Sequence, residues 1–403
     1  MRHAIELAKH GEGFVNPNPV VGCVVVKENR IVASGWHERY GEYHAERNAL
    51  TRCDEDLHGA EMYVTLEPCC HSGKTPPCTD IIIERGIGTV YIGSDDPNPK
   101  VAGKGVRILE EAGINVVTHV LKDECDRMNE IFFHFITTHR PFIAMKYAMT
   151  LDGKITTAMP DASKTGFSAT NVYENKGEWN RAGRKQQTII TGAEAHMHVH
   201  RLRKKYAAIM AGIGTILSDD PMLNVRLAEN SPLEDYEDEP HVGISDDPSN
   251  MDCNPLRVII DSHLRIPIES RIVQTAPEIP TVVAFTSADG EKQRALYEWN
   301  IQTMHVGTDS AGRVDLTEVF DRLGEMDIDS VLVEGGSGIH GSLLENRSLV
   351  NRVYAYISPR IFGGETALSP VGGVGSKLTT DALQLRDVEY ISLGNDILIT
   401  GRT

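Results

Sequence analysis

The sequence predicts an α/β protein of two domains, and three observations carry that reading. Short apolar runs alternate with amphipathic helical stretches through residues 1–136. The alternation stops at the polar stretch 137–141 and restarts beyond it. The length of 403 residues is that of two or three domains at about 150 residues each, with a sizeable core.

Taken in order, a helix carries Ile5, Leu7 and Ala8, and residues 20–26 form an apolar strand. A strand over 61–66 leads into EPCCHSGKTPPC, after which 79–85 reads as a helix and 89–92 as a strand. A helix over 105–113 precedes a strand over 114–119. One helix is expected over 123–136, with Met128, Ile131, Phe132 and Phe135 as its apolar positions. Beyond the linker, strands are expected at 142–147, 208–212, 257–261, 281–285, 330–334 and 353–357. The polar stretches 160–186 and 227–254 break this rhythm and read as surface insertions, the second containing the solvated charge run LEDYEDEP.

Charge and composition exclude several function classes. Lys plus Arg number 40 against 57 Asp plus Glu, a net charge of −17, so the field of the molecule repels polyphosphate backbones and no nucleic-acid partner is expected. A small phosphorylated ligand is compatible, because a local guanidinium binds one phosphate whatever the distant surface carries. No apolar run approaches the roughly 18 residues of a spanning helix, so no membrane partner is expected. MRHAIELAKHGEGF lacks the order of a secretory signal, and a cytoplasmic protein is expected. Of seven cysteines, Cys69, Cys70 and Cys78 cluster while Cys23, Cys53, Cys125 and Cys253 are scattered. This pattern suits a metal site better than a disulfide framework.

His44, Ala45 and Glu46, followed by Pro68 and Cys69, form the HxE…PC pattern of zinc-dependent base deaminases. One imidazole and two thiolates supply three ligands and leave the fourth tetrahedral position open to water, the arrangement of a catalytic site. Glu46, two residues from His44, lies close enough to move protons without being a ligand. Two other readings stand beside this one: a closed structural site completed by Cys70 or His71, and three unrelated buried cysteines. The residues alone leave open which cysteines bind, because the gap from Cys69 to Cys78 is wider than PCxxC.

Together the segments NPNPVVG (16–22), GWH (35–37), GEYHAE (41–46), EPCCHSGKTPPC (67–78) and DDPNPKVAGKG (95–105) resemble a known domain, the deaminase half of the bifunctional deaminase/reductase family of riboflavin biosynthesis. The resemblance implies a cytidine-deaminase-like three-layer domain over 1–138, with His44, Cys69 and Cys78 holding Zn2+, Cys70 a bystander and Glu46 the proton shuttle. It also implies that Asn18, His37, Lys74, Asp96 and Asn98 line the pyrimidine pocket. Lys74 is suited to a ligand phosphate.

The second half is similar to the reductase half of the same family, in the family's order: KYAMTLDGKI (146–155), ITG (190–192), VHRLRKK (199–205), AGIGTILSDDPMLNVR (211–226), RVIIDSHLRIP (257–267), VEGGSGIHGSLL (333–344) and SPRIFGG (358–364). This implies a dihydrofolate-reductase-like domain over 142–403 that uses NADPH. Ala148, Thr215, Asp219, Ser262, Gly335, Gly336, Ser337, Gly338, Ile339, His340 and Gly341 would touch the cofactor. Lys146, Asp152, Arg203, Leu223, Arg226 and Glu334 would serve the substrate. Physical reasons accompany these roles. GGSGIHG follows a strand and opens a helix, so its N–H groups are free of side-chain obstruction toward a pyrophosphate. A guanidinium fork matches the geometry of a phosphate.

The implied reactions are deamination of 2,5-diamino-6-ribosylamino-4(3H)-pyrimidinone 5′-phosphate, then reduction of its ribosyl group to ribityl. A homo-oligomer is expected from the resemblance alone. One departure stands out: Gln187 and Ile189 occupy positions where the family usually has Ser and Trp. It leaves a second reading, a deaminase whose C-terminal domain is a non-catalytic nucleotide-binding or assembly module. His196, His198 and His200 are expected to pack as ordinary helical residues rather than bind metal, since only His196 and His200 share a face.

Overall fold

The apolar run after Pro19 forms strand β1, Gly22–Lys27, and its neighbours assemble around it. The structure is a computed structural model that describes residues 1–71, 73–98, 101–157, 189–227, 254–287 and 290–403. Gln187 and nearly all of the stretches 160–186 and 227–254 lie outside the described residues. The chain divides into two compact units, residues 1–141 with Asp327–Asp329, and Phe142–Met326 with Ser330–Thr403.

In the first unit, helix α1 (Arg2–Ala8) packs on β1, which sits in a five-stranded sheet with β2 (Arg30–Trp36), β3 (Glu61–Leu66), β4 (Thr89–Ser94) and β5 (Asn115–Val117). The order is β2-β1-β3-β4-β5. The first two pairings are antiparallel and the others parallel. Helices α2 (Ala45–Thr51), α3 (Cys78–Glu84) and α4 (Lys104–Glu111) follow β2, β3 and β4. Val25, Leu50, Met62, Val64, Ile82 and Leu109 make a continuous buried core.

Two expectations are corrected here. Strand β2 has no counterpart in the sequence reading, because as an edge strand it is mostly exposed and lacks a clean alternation. Its signal is the two-residue turn Glu28–Asn29, both at positive φ (51° and 60°), which is the hairpin geometry that Asn favours. The single helix over 123–136 is two helices, α5 (Lys122–Met128) and α6 (Glu130–Thr138), interrupted at Asn129. The reason is tertiary. The buried Asn129 amide donates to the Val20 carbonyl and accepts from the Val20 N–H, both at 3.0 Å, and its backbone leaves helical geometry to do so.

The second unit is a nine-stranded sheet in the order β10-β9-β8-β7-β11-β6-β12-β14-β13. Its strands are β6 (Phe142–Thr150), β7 (Ala208–Gly212), β8 (Leu256–Ile260), β9 (Thr281–Phe285), β10 (Gln302–His305), β11 (Ser330–Val333), β12 (Arg352–Ser358), β13 (Arg386–Leu393) and β14 (Asp396–Arg402). Pairing is parallel from β10 through to β12 and antiparallel at β14 and β13. Strands β9 and β11 are buried throughout and read as continuous apolar runs. Strands β10 and β13 are largely exposed, and with β14 they were not foreseen.

This order sets the position of the site. From β6 the chain crosses to β7, runs outward through β10, and returns with β11 into the gap between β7 and β6. Ligands of open parallel sheets bind beyond the carboxyl ends of strands at such a reversal. There the chain places Ser262 after β8, helix Ile213–Asp219 after β7, and Glu334 with helix Ser337–Glu345 after β11.

Candidate functional site

In the first unit, two helix starts meet at one point. His44 is the N-cap of α2, and Cys78 is the first residue of α3. The Cys69 sulfur comes to the same place because it accepts the Cys78 N–H at 3.4 Å. His44 Nδ1 lies 3.4 Å from Cys69 Sγ and 3.6 Å from Cys78 Sγ. A tetrahedral zinc sets nitrogen-to-sulfur edges at roughly 3.6 Å, so the three residues fit the ion. Their ligand atoms all lie within 4.8 Å of one another, and they are the one such group among the described residues. Cys70 and His71 do not join it.

The electrostatics divide the two sulfurs. A hydrogen bond from Cys78, against the cost of burial and with His44 alongside, pulls the Cys69 thiol down to about 4. Cys78 moves up well above its ordinary range, through Cys69 and then burial. Glu46, on the first turn of α2, is 3% exposed. Burial and then Cys69 push its carboxyl up to about 7, with His44 opposing. It is thus a carboxyl poised to hold or release a proton near neutrality, beside His44, Cys69 and Cys78.

The other pocket residues named from sequence partly assemble here. His37 is buried, and its ring stands edge-on to that of His44 at 5.2 Å. Its Nδ1–H donates to the Tyr43 carbonyl at 3.0 Å, and its Nε2 accepts from the Asn18 amide at 3.2 Å. Burial brings His37 down to about 4, so the neutral ring holds Asn18 in place. Asp96 is buried and raised to about 6, chiefly by burial, while the Asn98 N–H donates to it at 2.8 Å. Lys74 is exposed, with its ammonium 3.7 Å from the centre of the Tyr40 ring.

Glu67 was missed in the sequence. Its buried carboxylate accepts from the N–H groups of Gly103 and Gly105, both at 3.0 Å, and ties the 95–105 loop to the cysteine loop. The available signal was an acidic residue closing an apolar strand at the head of EPCC.

In the second unit, β6 and β11 pair with Met145 opposite Val333, which sets Lys146 beside Glu334. Arg203, on helix Ala193–Lys205, completes the group. Its Nε and Nη2 donate to the two Glu334 oxygens at 2.7 and 2.9 Å, and Lys146 Nζ lies 3.5 Å from Oε2. Burial would raise the Glu334 carboxyl, but Arg203 and Lys146 outweigh it and hold the group well below the usual range. Arg203 Nη1 also donates to the Asn224 carbonyl at 3.0 Å, and Arg226 Nη1 donates to Asn224 Oδ1 at 2.6 Å. Leu223 is buried, at a φ of 49°.

Asp152 does not join this group. It is exposed and accepts from the Thr150 hydroxyl and from the N–H groups of Phe362 and Gly363. These bonds bring it down to about 2, which makes it an anchor for the 362–363 turn rather than a proton carrier. Of the three helical histidines, His198 Nδ1 pairs with the Tyr356 hydroxyl at 2.6 Å, and His200 Nδ1 accepts the Arg226 N–H at 3.1 Å.

The glycine turn needs its glycine. A Cβ on Gly335 would lie 1.9 Å from Ile339 Cγ2, and one on Gly336 would meet Thr215 Oγ1 at 3.5 Å. Gly335 to Gly341 therefore pass close to helix Ile213–Asp219, with Thr215 beside them, at neighbouring strand ends. The His340 ring is buried, its Nδ1 bonding the Pro370 carbonyl at 2.9 Å. Asp219 is exposed at the end of its helix, Ser262 follows β8, and Ala148 lies on β6 opposite Tyr356. Ile189 is 55% exposed and its carbonyl accepts from Arg360.

Residues 141–399 match the family model described as RibD C-terminal domain, and residues 1–94 match the cytidine and deoxycytidylate deaminase zinc-binding region. The chain is 45% identical over 399 residues to riboflavin biosynthesis protein RibD of Actinobacillus pleuropneumoniae, covering 99% of this chain and 93% of that protein. Among solved structures, Acinetobacter baumannii RibD (form 1) superposes with a TM-score of 0.78 at 29% identity, covering 100% of this chain and 97% of the other. A diaminohydroxyphosphoribosylaminopyrimidine deaminase/5-amino-6-(5-phosphoribosylamino)uracil reductase from Thermotoga maritima gives 0.75 at 34% identity, with the same coverage. With a zinc-binding deaminase region in one half and the reductase domain in the other, this chain belongs to the RibD family of bifunctional deaminase/reductases of riboflavin biosynthesis.

Proposed function

We propose that residues 1–138 deaminate 2,5-diamino-6-ribosylamino-4(3H)-pyrimidinone 5′-phosphate and that residues 142–403 then reduce its ribosyl group to ribityl with NADPH. The observation that carries the reading is the trio His44, Cys69 and Cys78 with the buried Glu46 beside it. Bound by those three residues, Zn2+ would supply Lewis acidity that brings the pKa of a water toward neutrality. Glu46 takes a proton from the attacking water and gives it to the pyrimidine ring nitrogen as the hydroxyl adds to the ring carbon, then takes the remaining hydroxyl proton and gives it to the amine, which departs as ammonia as the carbonyl forms. Asn18, oriented by His37, and Asp96 with Asn98 grip the edge of the pyrimidine, and Lys74 meets its phosphate.

In the second unit, NADPH would supply the hydride from C4 of its nicotinamide. The N–H groups that open helix Ser337–Glu345 receive its pyrophosphate, and the segment Gly335, Gly336, Ser337, Gly338, Ile339, His340 and Gly341 lines it, with Thr215, Asp219, Ser262 and Ala148 along the cofactor. Lys146 and Glu334 order the sugar being reduced, Leu223 packs against the substrate, and Arg203 and Arg226 face its phosphate. Family membership supports a cytoplasmic enzyme that assembles as a homo-oligomer.

The test supplies the diaminopyrimidine ribosyl phosphate with NADPH to zinc-loaded protein and records ammonia release and NADPH oxidation in one sample. Both signals are expected. Ammonia without NADPH oxidation, even when the deaminated intermediate is added directly, overturns the reductase half of the reading.

A further inference from the structure

The mechanism above leaves Asn224 unused, although it is 6% exposed and bonded to both arginines of the reductase site. Two cations held close together repel, and each must be fixed by acceptors to point one way. A guanidinium only donates, so the oxygen end of the Asn224 amide must face Arg226. Arg203 already commits its Nε and Nη2 to Glu334 and gives Nη1 to the Asn224 backbone carbonyl. Its orientation is therefore set by Glu334 and does not depend on the Asn224 side chain. Arg226 is held through that side chain directly, its Nη1 donating to Asn224 Oδ1 at 2.6 Å.

The segment carrying Asn224 is itself strained and tied down. Leu223 holds a φ of 49°, a left-handed conformation that costs a branched side chain energy and persists only where neighbours enforce it. One enforcing bond comes from below, where His200 Nδ1 accepts the Arg226 N–H at 3.1 Å. Burial, then Arg203 and Arg226, keep His200 neutral, as an acceptor must be.

We propose that Asn224 is a positioning residue for substrate specificity: through its side-chain oxygen it aims the Arg226 guanidinium at the 5′-phosphate, so that the reductase selects phosphorylated over dephosphorylated pyrimidine. This rests on the reading of Arg226 as a phosphate ligand, and the test separates the two.

The experiment is a kinetic cycle on the full-length chain with wild type, Asn224→Leu, Arg226→Ala and the double variant. NADPH oxidation is measured with the deaminated pyrimidine ribosyl 5′-phosphate and with its dephosphorylated form. Asn224→Leu is expected to raise KM for the phosphorylated form about tenfold, the size of one charge-assisted hydrogen bond, and to leave kcat within about twofold. It should leave KM for the dephosphorylated form unchanged and add little to Arg226→Ala. Asn224→Ala removes the same oxygen without an apolar branch and should show the same split, so a folding defect in one variant does not decide the matter. Equal rises in KM for both forms, a fall in kcat alone, or additive effects with Arg226→Ala make Asn224 merely structural and overturn the proposal. If Arg226→Ala keeps the wild-type preference for the phosphorylated form, the phosphate reading of Arg226 itself falls.

Discussion

Glu46 and Glu334 are both buried carboxylates, and their neighbours push them in opposite directions. Glu46 stands beside the Cys69 sulfur, so burial and that charge raise it to about 7. Glu334 stands between Arg203 and Lys146, which overcome burial and keep it ionised. The first is suited to moving protons and the second to holding cations. Glu46→Gln is expected to keep zinc, measured by elemental analysis, and to cut ammonia release by about 10²–10⁴-fold. Glu334→Gln leaves two buried cations uncompensated and should destabilise the second unit by about 3–5 kcal/mol at pH 7, read by urea unfolding. The sign with pH follows from the depressed value. Below about 4.5, the ordinary value of the group, the unfolded chain takes up a proton before the folded one does. The stabilisation is therefore whole above that pH and is lost as pH falls through the folded value. Unfolding of wild type and variant should differ less at pH 4 than at pH 7.

At the scale of elements, strands buried on both faces were the most legible. The expected 208–212 and 281–285 coincide with β7 and β9, because Ala, Ile, Met and Val in unbroken runs suit a buried parallel sheet. Exposed edge strands such as β2 and β13 carry no such run, and only their turns betray them. The division at Asn129 was illegible for another reason. Nothing in ECDRMNEIFF interrupts helical periodicity, and the break serves Val20, far away in sequence. Asn129→Leu would restore local helix propensity and leave the Val20 N–H and C=O without their partner. It is expected to destabilise the first unit by about 2–4 kcal/mol, at roughly 1–3 for each stranded group, checked by chemical denaturation. Because Val20 follows Asn18 so closely, the same variant should raise KM for deamination.

At the scale of the molecule, each compact unit has a hydrophobic core and a site built from its own residues. The two half-reactions should then respond separately to metal removal. A chelator is expected to abolish ammonia release and to leave NADPH oxidation intact when the deaminated intermediate is supplied. Loss of both signals would show that the second half-reaction also depends on the metal. The motif residues themselves, HAE, PCC and PPC, the glycine turn and the two arginines, were all legible in order along the chain, because their chemistry demands particular side chains at particular spacings. Sequence determined the fold class, the break near residue 140 and the side-chain types of the candidate metal site, one imidazole with a cluster of cysteines. Only the tertiary structure decided that Cys78 rather than Cys70 faces His44, that Asp152 anchors a turn, and that Asn224 links two arginines. Those choices rest on hydrogen bonds between segments distant in sequence, and no local pattern encodes a partner that only folding brings near.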